Sequence, residues 1–478
     1  MVALRESGPR AAAGVEVGAG LGIDVGSEAG TGAGAGIDVA VEAVGADGAG
    51  AGSVETDVCV VGGGPAGLAL ALELARRGRR VTVLEQKTGF ERSFRGEAVS
   101  PDAVWLLDRL GVLDEVRSSA RPTRRTEIWD GGRRVFAVEF AAYPWEGRRP
   151  MEIPQPPLLA AMARLAAEHP GFSLLAGHSA ARLLRSDGRV AGVLCTGPDG
   201  PVRVRAALTV IADGRYTKFR EQAGLRYTKT PLERDLVWLK LPRPPVWDAD
   251  AYSVRIAGGS HLAAIPTVPD QLRIGLNIPK GSYRQWRAQN VSVLYERIDV
   301  LAPELSATVR EHVTDWSETA LLDVFTTVVP GWSAPGLVLI GDAAHTLSPI
   351  LGLGVHHALV DAVVLAPLAD RALAGPGPSQ GPALDAAVAE FQRLREPSVA
   401  ASRAMQLRQE RAFALSRPAA VALRRVIYRL VNGIGPVKRR VVTDVYFSLQ
   451  RAVREGRLPL DLAPRREKAA VGIGDGAA

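Results

Sequence analysis

Only two cysteines, Cys59 and Cys195, occur in 478 residues, and both sit inside strand-like apolar runs. This argues against a disulfide framework and against cysteine metal-ligand spacing, and it fits a reduced, cytoplasmic protein. No apolar run free of charge approaches the roughly 20 residues that span a bilayer. The most apolar stretch, Leu337 to Ala369, is interrupted by Asp342, His345, His356, His357 and Asp361. The amino terminus lacks the basic region and continuous apolar run of a secretory signal, and it is not Arg-rich and acid-poor like a transit peptide. Aromatic residues are scarce, at 5%, and are not interleaved with the basic ones. The net charge of +7 therefore favours anionic cofactors or surfaces, not nucleic acid. No nucleophile triad and no metal-binding constellation stands out, so no catalytic side chain is assigned and no metal is expected.

What is present is ordinary globular chemistry, 47% apolar and 23% charged, in a chain long enough for two or three domains. Residues 1–53 are rich in Gly, Ala and Val; such low complexity cannot repay the entropy of ordering, so a disordered tail is expected there. Asp57 to Val61 then reads as a buried parallel strand. Gly62, Gly64 and Gly67 follow, with a helix expected from Pro65 and Ala66 to Arg77, and Val81 to Leu84 is a second strand ending in Glu85. The three glycines serve different ends. Gly62 allows the tight turn, Gly64 the approach of backbone to a pyrophosphate, and Gly67 close helix–sheet packing. The helix start offers free N–H groups to phosphates, and Glu85 is placed to accept from ribose hydroxyls. This unit indicates a dinucleotide without saying which.

Two more strand ends carry similar signals. Ala207 to Ala212 runs into Asp213-Gly214-Arg215-Tyr216-Thr217-Lys218-Phe219-Arg220, and Leu337 to Ile340 runs into Gly341-Asp342-Ala343-Ala344-His345. After the latter, Pro349 and Gly352 to Gly354 form a loop feeding a helix over Val355 to Ala369.

With Phe94-Arg95-Gly96-Glu97 after the second strand, the chain from about Asp57 to Val399 resembles the FAD-dependent aromatic hydroxylases of the para-hydroxybenzoate hydroxylase-like family. The resemblance implies an α/β fold: a Rossmann-like FAD-binding domain with a three-layer, mostly parallel sheet, an inserted, mainly antiparallel substrate sheet, and C-terminal helices. It implies that Arg95 reaches the FAD diphosphate, that Gln155, before a helix over Leu158 to Ala167, lies against the ribityl chain, and that Asp213 and Gly214 serve FAD and the pyridine nucleotide. Thr217 stands where the family has Ser, and Arg220 fits its pattern. Asp342 would bond a ribityl hydroxyl, a group FAD has and NAD lacks. The family's Gly-Gln-Gly-x-Asn appears as Gly352-Leu353-Gly354-Val355-His356, which keeps the main-chain donors and puts the fine positioning of the ring in question. For His345, His356 and His357 the packed, structural reading is favoured over proton transfer.

The implied reaction uses NADH or NADPH and O2 to hydroxylate or epoxidise a hydrophobic aromatic or polyketide-like small molecule through a C4a-hydroperoxyflavin. The alternative is a polyprenyl or geranylgeranyl-type reductase, or a halogenase-like flavoenzyme, although the halogenase Trp-x-Trp-x-Ile-Pro run is missing. The expected division is a tail over 1–53, the FAD domain over 54–225 and 331–375, a substrate domain over 226–330, C-terminal helices over 376–465 and a second disordered tail over 466–478. In the substrate domain Trp238, Tyr252, Arg255, His261 and Arg273 are pocket candidates. A helix break is expected at Glu396-Pro397. Ala419 to Leu449 reads as a cap on the FAD domain with its arginines outermost, or as a basic amphipathic surface making weak peripheral contact with anionic membrane.

Overall fold

A computed structural model of the chain describes residues 52–91, 96–147, 149–375 and 380–464. The tail expected up to residue 51, Arg95, and the tail expected over 466–478 lie outside the described residues.

Strand β1 (Gly52–Val61) begins exposed and ends buried, as its shift from Gly, Ser and Glu to Val and Cys requires. Parallel register with Val202 and Arg203 draws Gly52 and Ser53 into the strand, so they are not part of a tail. Helix α1 (Pro65–Arg76) and β2 (Val81–Glu85) follow. Next come the hairpin β3 (Arg125–Asp130) and β4 (Arg133–Glu139), then α2 (Gln155–Ala167) and β5 (Phe172–Ala176). A meander of β6 (Ser179–Ser186), β7 (Arg189–Gly197) and β8 (Gly200–Ile211) returns the chain to β1. Strands β9 (Arg234–Pro242), β10 (Ala251–Ala257), β11 (Ser260–Thr267), β12 (Gln271–Pro279) and β13 (Thr319–Leu322) precede β14 (Leu337–Leu339). The chain finishes in α3 (Gly354–Leu373), α4 (Gln380–Ala414), α5 (Pro418–Gly433), α6 (Gly435–Tyr446) and a last helix over Ser448–Arg454.

Two sheets result. In the first, β14, β8, β1, β2 and β5 lie side by side and parallel, with α1 packed between α2 and α3. Val58, Val60, Leu68, Leu72 and Leu359 are wholly buried in the shared core. Parallel strands covered by helices demand such uninterrupted apolar runs. The second sheet has the order β13-β9-β12-β11-β10-β3-β4, antiparallel except between β10 and β3. It therefore takes in residues 125–139 as well as the later strands. Leu239, Leu262, Leu272, Ile274 and Leu276 pack one face onto the helix over Ser292–Leu301. Alternation then turns Trp238, Tyr252, Val254, His261 and Arg273 to the other face.

Two expectations for the C-terminal helices are corrected. Helix α4 runs unbroken through Pro397. Arg395 just before it donates to Asp361 Oδ1 at 2.8 Å and to His357 Nδ1 at 3.0 Å, while Phe391 and Val399 are buried. Tertiary packing on α3 thus outweighs a proline cost of about 3 kcal/mol. Helix α5 packs on β4 of the second sheet, and its arginines are not all outermost. Arg424 is buried against the fully buried Asp130, at 2.8 Å, because a carboxylate with no exposure needs a cation beside it. Among the described residues no helix is long and apolar enough to cross a membrane.

A Cβ on Gly67 would lie 2.0 Å from Gly62 O, whereas one on Gly64 meets nothing within 4 Å. Gly67→Ala is therefore expected to cost about 2–4 kcal/mol, and Gly64→Ala less than about 0.5 kcal/mol, in thermal or urea unfolding.

His261 supplies a pH test. Burial, then the charges of Arg234 and Arg424, pushes its pKa down to about 3. The unfolded imidazole titrates near 6.5, so between these values only the unfolded chain holds the proton. The stabilisation is complete above about pH 6.5 and is lost as pH falls. Moving from about pH 7.5 to about pH 5.5 should cost the parent roughly 1.4 kcal/mol more than His261→Phe in urea unfolding.

Candidate cofactor site

The C-terminal ends of β1, β2, β8 and β14 open onto one cleft of about 570 Å³. Ligands of open α/β sheets bind at such ends. Gly62, Gly64, Pro65, Ala66, Glu85, Gln155, Asp213, Gly214, Gly341, Asp342 and Gly354 all line it. Gly67, Pro349 and Gly352 do not: Gly67 lies behind the turn, and the other two belong to the loop that delivers α3.

At one end, Glu85 accepts Gly63 N–H on Oε2 at 2.9 Å and Lys87 N–H on Oε1 at 3.1 Å. Beside it stand His178 and Ser179 to Ala181, which the sequence pattern did not single out. Gly64, extended, immediately precedes α1 and provides no side-chain cap, and the first turn of that helix holds no acid. Its N–H groups and positive dipole end are thus left for an anion from outside the chain.

The middle of the cleft is where the second and third segments meet. Gly62, at φ +109°, lies against Ala212 O, and Gly341, at φ +60°, against Ala66. Arg220, 3% exposed, donates to Ala343 O at 2.7 Å and Asp342 O at 3.0 Å. It binds the two segments to each other. Burial pushes the Asp213 carboxyl up to about 6, with the Thr217 hydroxyl and Arg220 opposing. Arg215 Nη2 reaches Asp342 Oδ2 at 3.2 Å and, with Lys218, lines the cleft. Arg215 was also missed; its position inside the Asp-Gly turn, opposite a second acid, was the available signal. Gln155 is the first residue of α2 and donates to Gly96 O at 2.9 Å.

At the far end, α3 starts at Gly354, again without a side-chain cap or first-turn acid. Its interior is fixed by Asp361, which accepts Gly341 N–H at 2.8 Å, bonds His345 Nε2 at 2.7 Å and pairs with Arg395. Burial would raise this carboxyl, but His345 and Arg395 hold it below the usual range. His357 takes its proton donor from Arg395, and burial presses His356 down to about 3. Both rings are neutral packing groups outside the cleft lining. Of the substrate-sheet candidates, Arg255 faces away, paired with Glu304 at 2.8 Å. Tyr252 shares an apolar cluster with Val254, Phe413 and Ile350 from the loop before α3.

The arrangement fits a long, doubly anionic dinucleotide: an acid at one end, two uncapped helix starts, and Asp342 between them. The FAD binding domain family matches residues 55–397. The 6-methylpretetramide 4-monooxygenase of Streptomyces rimosus is 36% identical over 404 residues, covering 82% of this chain and 95% of its own. Protoasukamycin 4-monooxygenase of Streptomyces nodosus subsp. asukaensis is 27% identical over 72% of this chain and 85% of its own. The crystal structure of Pseudomonas aeruginosa PqsL with 2-aminobenzoylacetate has the same fold, with a TM-score of 0.67 over 77% of this chain and 99% of PqsL at 21% identity. The chain belongs to the FAD binding domain family and, within it, to the para-hydroxybenzoate hydroxylase-like FAD-dependent monooxygenases.

Proposed function

We propose that the chain hydroxylates a polycyclic, polyketide-type aromatic small molecule, with NADH or NADPH as reductant and O2 as oxidant, in a cytoplasmic setting. The observation that carries this reading is the match along 95% of a relative named for 4-monooxygenation of 6-methylpretetramide. The two free, buried cysteines support the reducing compartment. The rival readings, a polyprenyl-group reductase or a halogenase on this fold, are not favoured, since both of these relatives are named monooxygenases.

In this reading Glu85 accepts from the adenosine ribose, and Gly62 to Gly67 with the start of α1 take the diphosphate, aided by Arg95. Asp342 and Gln155 face the ribityl chain, Asp213 and Gly214 support it from the next strand, and Pro349, Gly352 and Gly354 bring the start of α3 to the ring. Bound FAD supplies the two-electron chemistry that lets oxygen be used on an organic substrate. The protein's own part is positioning and exclusion of water. The α3 dipole favours negative charge at its N-terminus. Tyr252, Val254, Phe413 and Ile350 from the loop before α3 pack into an apolar cluster that keeps water from that part of the second sheet.

The purified protein should be yellow and should oxidise NADH or NADPH faster when a polycyclic phenol is added, giving a product heavier by one oxygen. A colourless protein that cannot be reconstituted with FAD would sink the reading. Glu85→Ala and Asp342→Ala should each weaken FAD binding about 10- to 100-fold, the worth of one or two charge-assisted hydrogen bonds; Asp342→Ala should leave the unfolding midpoint of the apoprotein in place, whereas Glu85→Ala should lower it, because Gly63 N–H loses its acceptor. Fluorescence titration with FAD measures the first effect.

A further inference from the structure

Helix α5 is turned inside out. Its inner side is polar: Arg424 Nε donates to Asp130 at 2.8 Å and Nη1 to Ala412 O at 2.9 Å, and Arg425 joins Asp130 at 2.9 Å. On the same side Tyr428 accepts from Gln409 at 2.6 Å, and Asn432 accepts Ala137 N–H at 3.2 Å. Its outer side carries Leu423, Val426, Ile427 and Leu430. Beyond Ile434, whose extended backbone separates the two helices, α6 exposes Val437 and Val441 one turn apart. These seven side chains are between 39% and 60% exposed. An exposed apolar stripe of this kind marks a contact surface.

Charge identifies the occupant. Residues 415–443 hold seven Lys and Arg and no Asp or Glu. Arg424 and Arg425 are committed to Asp130, and Lys438 lies over the Phe136 ring at 5.8 Å, with Glu139 acting on it. Arg417, Arg429, Arg439 and Arg440 remain exposed at the rim of the stripe. The nearest acid after the run, Asp444, is paired with Arg451 at 2.5 Å. A second copy of the chain would bring the same arginines against each other, a like-charge contact that disfavours self-association. An interfacial helix has this design, with apolar side chains in the acyl boundary and arginines at the headgroups.

We propose that the α5–α6 face docks on an anionic lipid surface. Tyr428, on the inner side of α5, packs against the cluster that includes Val254 and Ile350. One helix therefore separates the lipid from this apolar cluster of the second sheet, and an apolar substrate would be collected at that place.

The test is co-sedimentation of the full FAD-loaded chain with vesicles of phosphatidylglycerol and, separately, of phosphatidylcholine. Binding to phosphatidylglycerol should be at least about tenfold tighter and should weaken with salt. The double changes Ile427→Ser with Leu430→Ser, and Arg439→Gln with Arg440→Gln, should each reduce it about tenfold or more, with unfolding midpoint and FAD content unchanged. The proposal is overturned if the chain stays in the supernatant, or binds both lipids equally. Binding that survives the Ile427 and Leu430 changes would be plain charge adsorption and would overturn it too. So would a dimer in solution that Leu430→Glu dissociates. None of these outcomes touches the monooxygenase reading, because FAD content is read separately.

Discussion

One buried carboxylate holds together what the rest of the molecule needs. Asp361, fully buried in α3, meets Gly341 N–H from the end of β14, His345 from the loop beyond it, and Arg395 from α4. A bare carboxylate in that position would be prohibitively costly, so all three partners must be in place together. Their assembly fixes Gly341 at φ +60° against Ala66, and it presents Asp342 to the cleft. The same contact carries α4 straight across Pro397, toward the three helices that follow.

The cleft is therefore a junction of strand ends held by hydrogen bonds between buried charged side chains and backbone, not by the ligand alone. Arg220 ties the backbone after β8 to that after β14, and Glu85 ties the glycine turn to β2. Neither helix that opens into it is capped by a side chain. Leaving helix starts unsatisfied is unfavourable in a protein without an anion to place there, and would be useful in one that binds an anionic dinucleotide.

Much of this was legible in the sequence because it rests on local backbone rules. The glycines at 62, 64 and 67, the acid ending β2 and the Asp-Gly turns after two further strands are fixed by spacing within a few residues. What escaped depends on distant partners. Arg215 reads as a turn residue until Asp342 is seen 3.2 Å away. Pro397 reads as a breaker until Arg395 finds Asp361. Arg424 and Leu423 read in opposite orientation, because the arginine's place is decided by Asp130, almost three hundred residues earlier. Strand alternation could say that Arg255 and Tyr252 point to opposite faces, but not which face meets Ile350.

Asp361 is the residue on which the site most directly depends. In Asp361→Asn the Arg395 guanidinium loses its counter-charge, while every cleft-lining residue stays as it is. Fluorescence titration should then show FAD binding weakened at least about tenfold, with the chain less stable by roughly 3–5 kcal/mol. A variant as stable as the parent, binding FAD with the same affinity, would contradict the claim that this carboxylate sets the site.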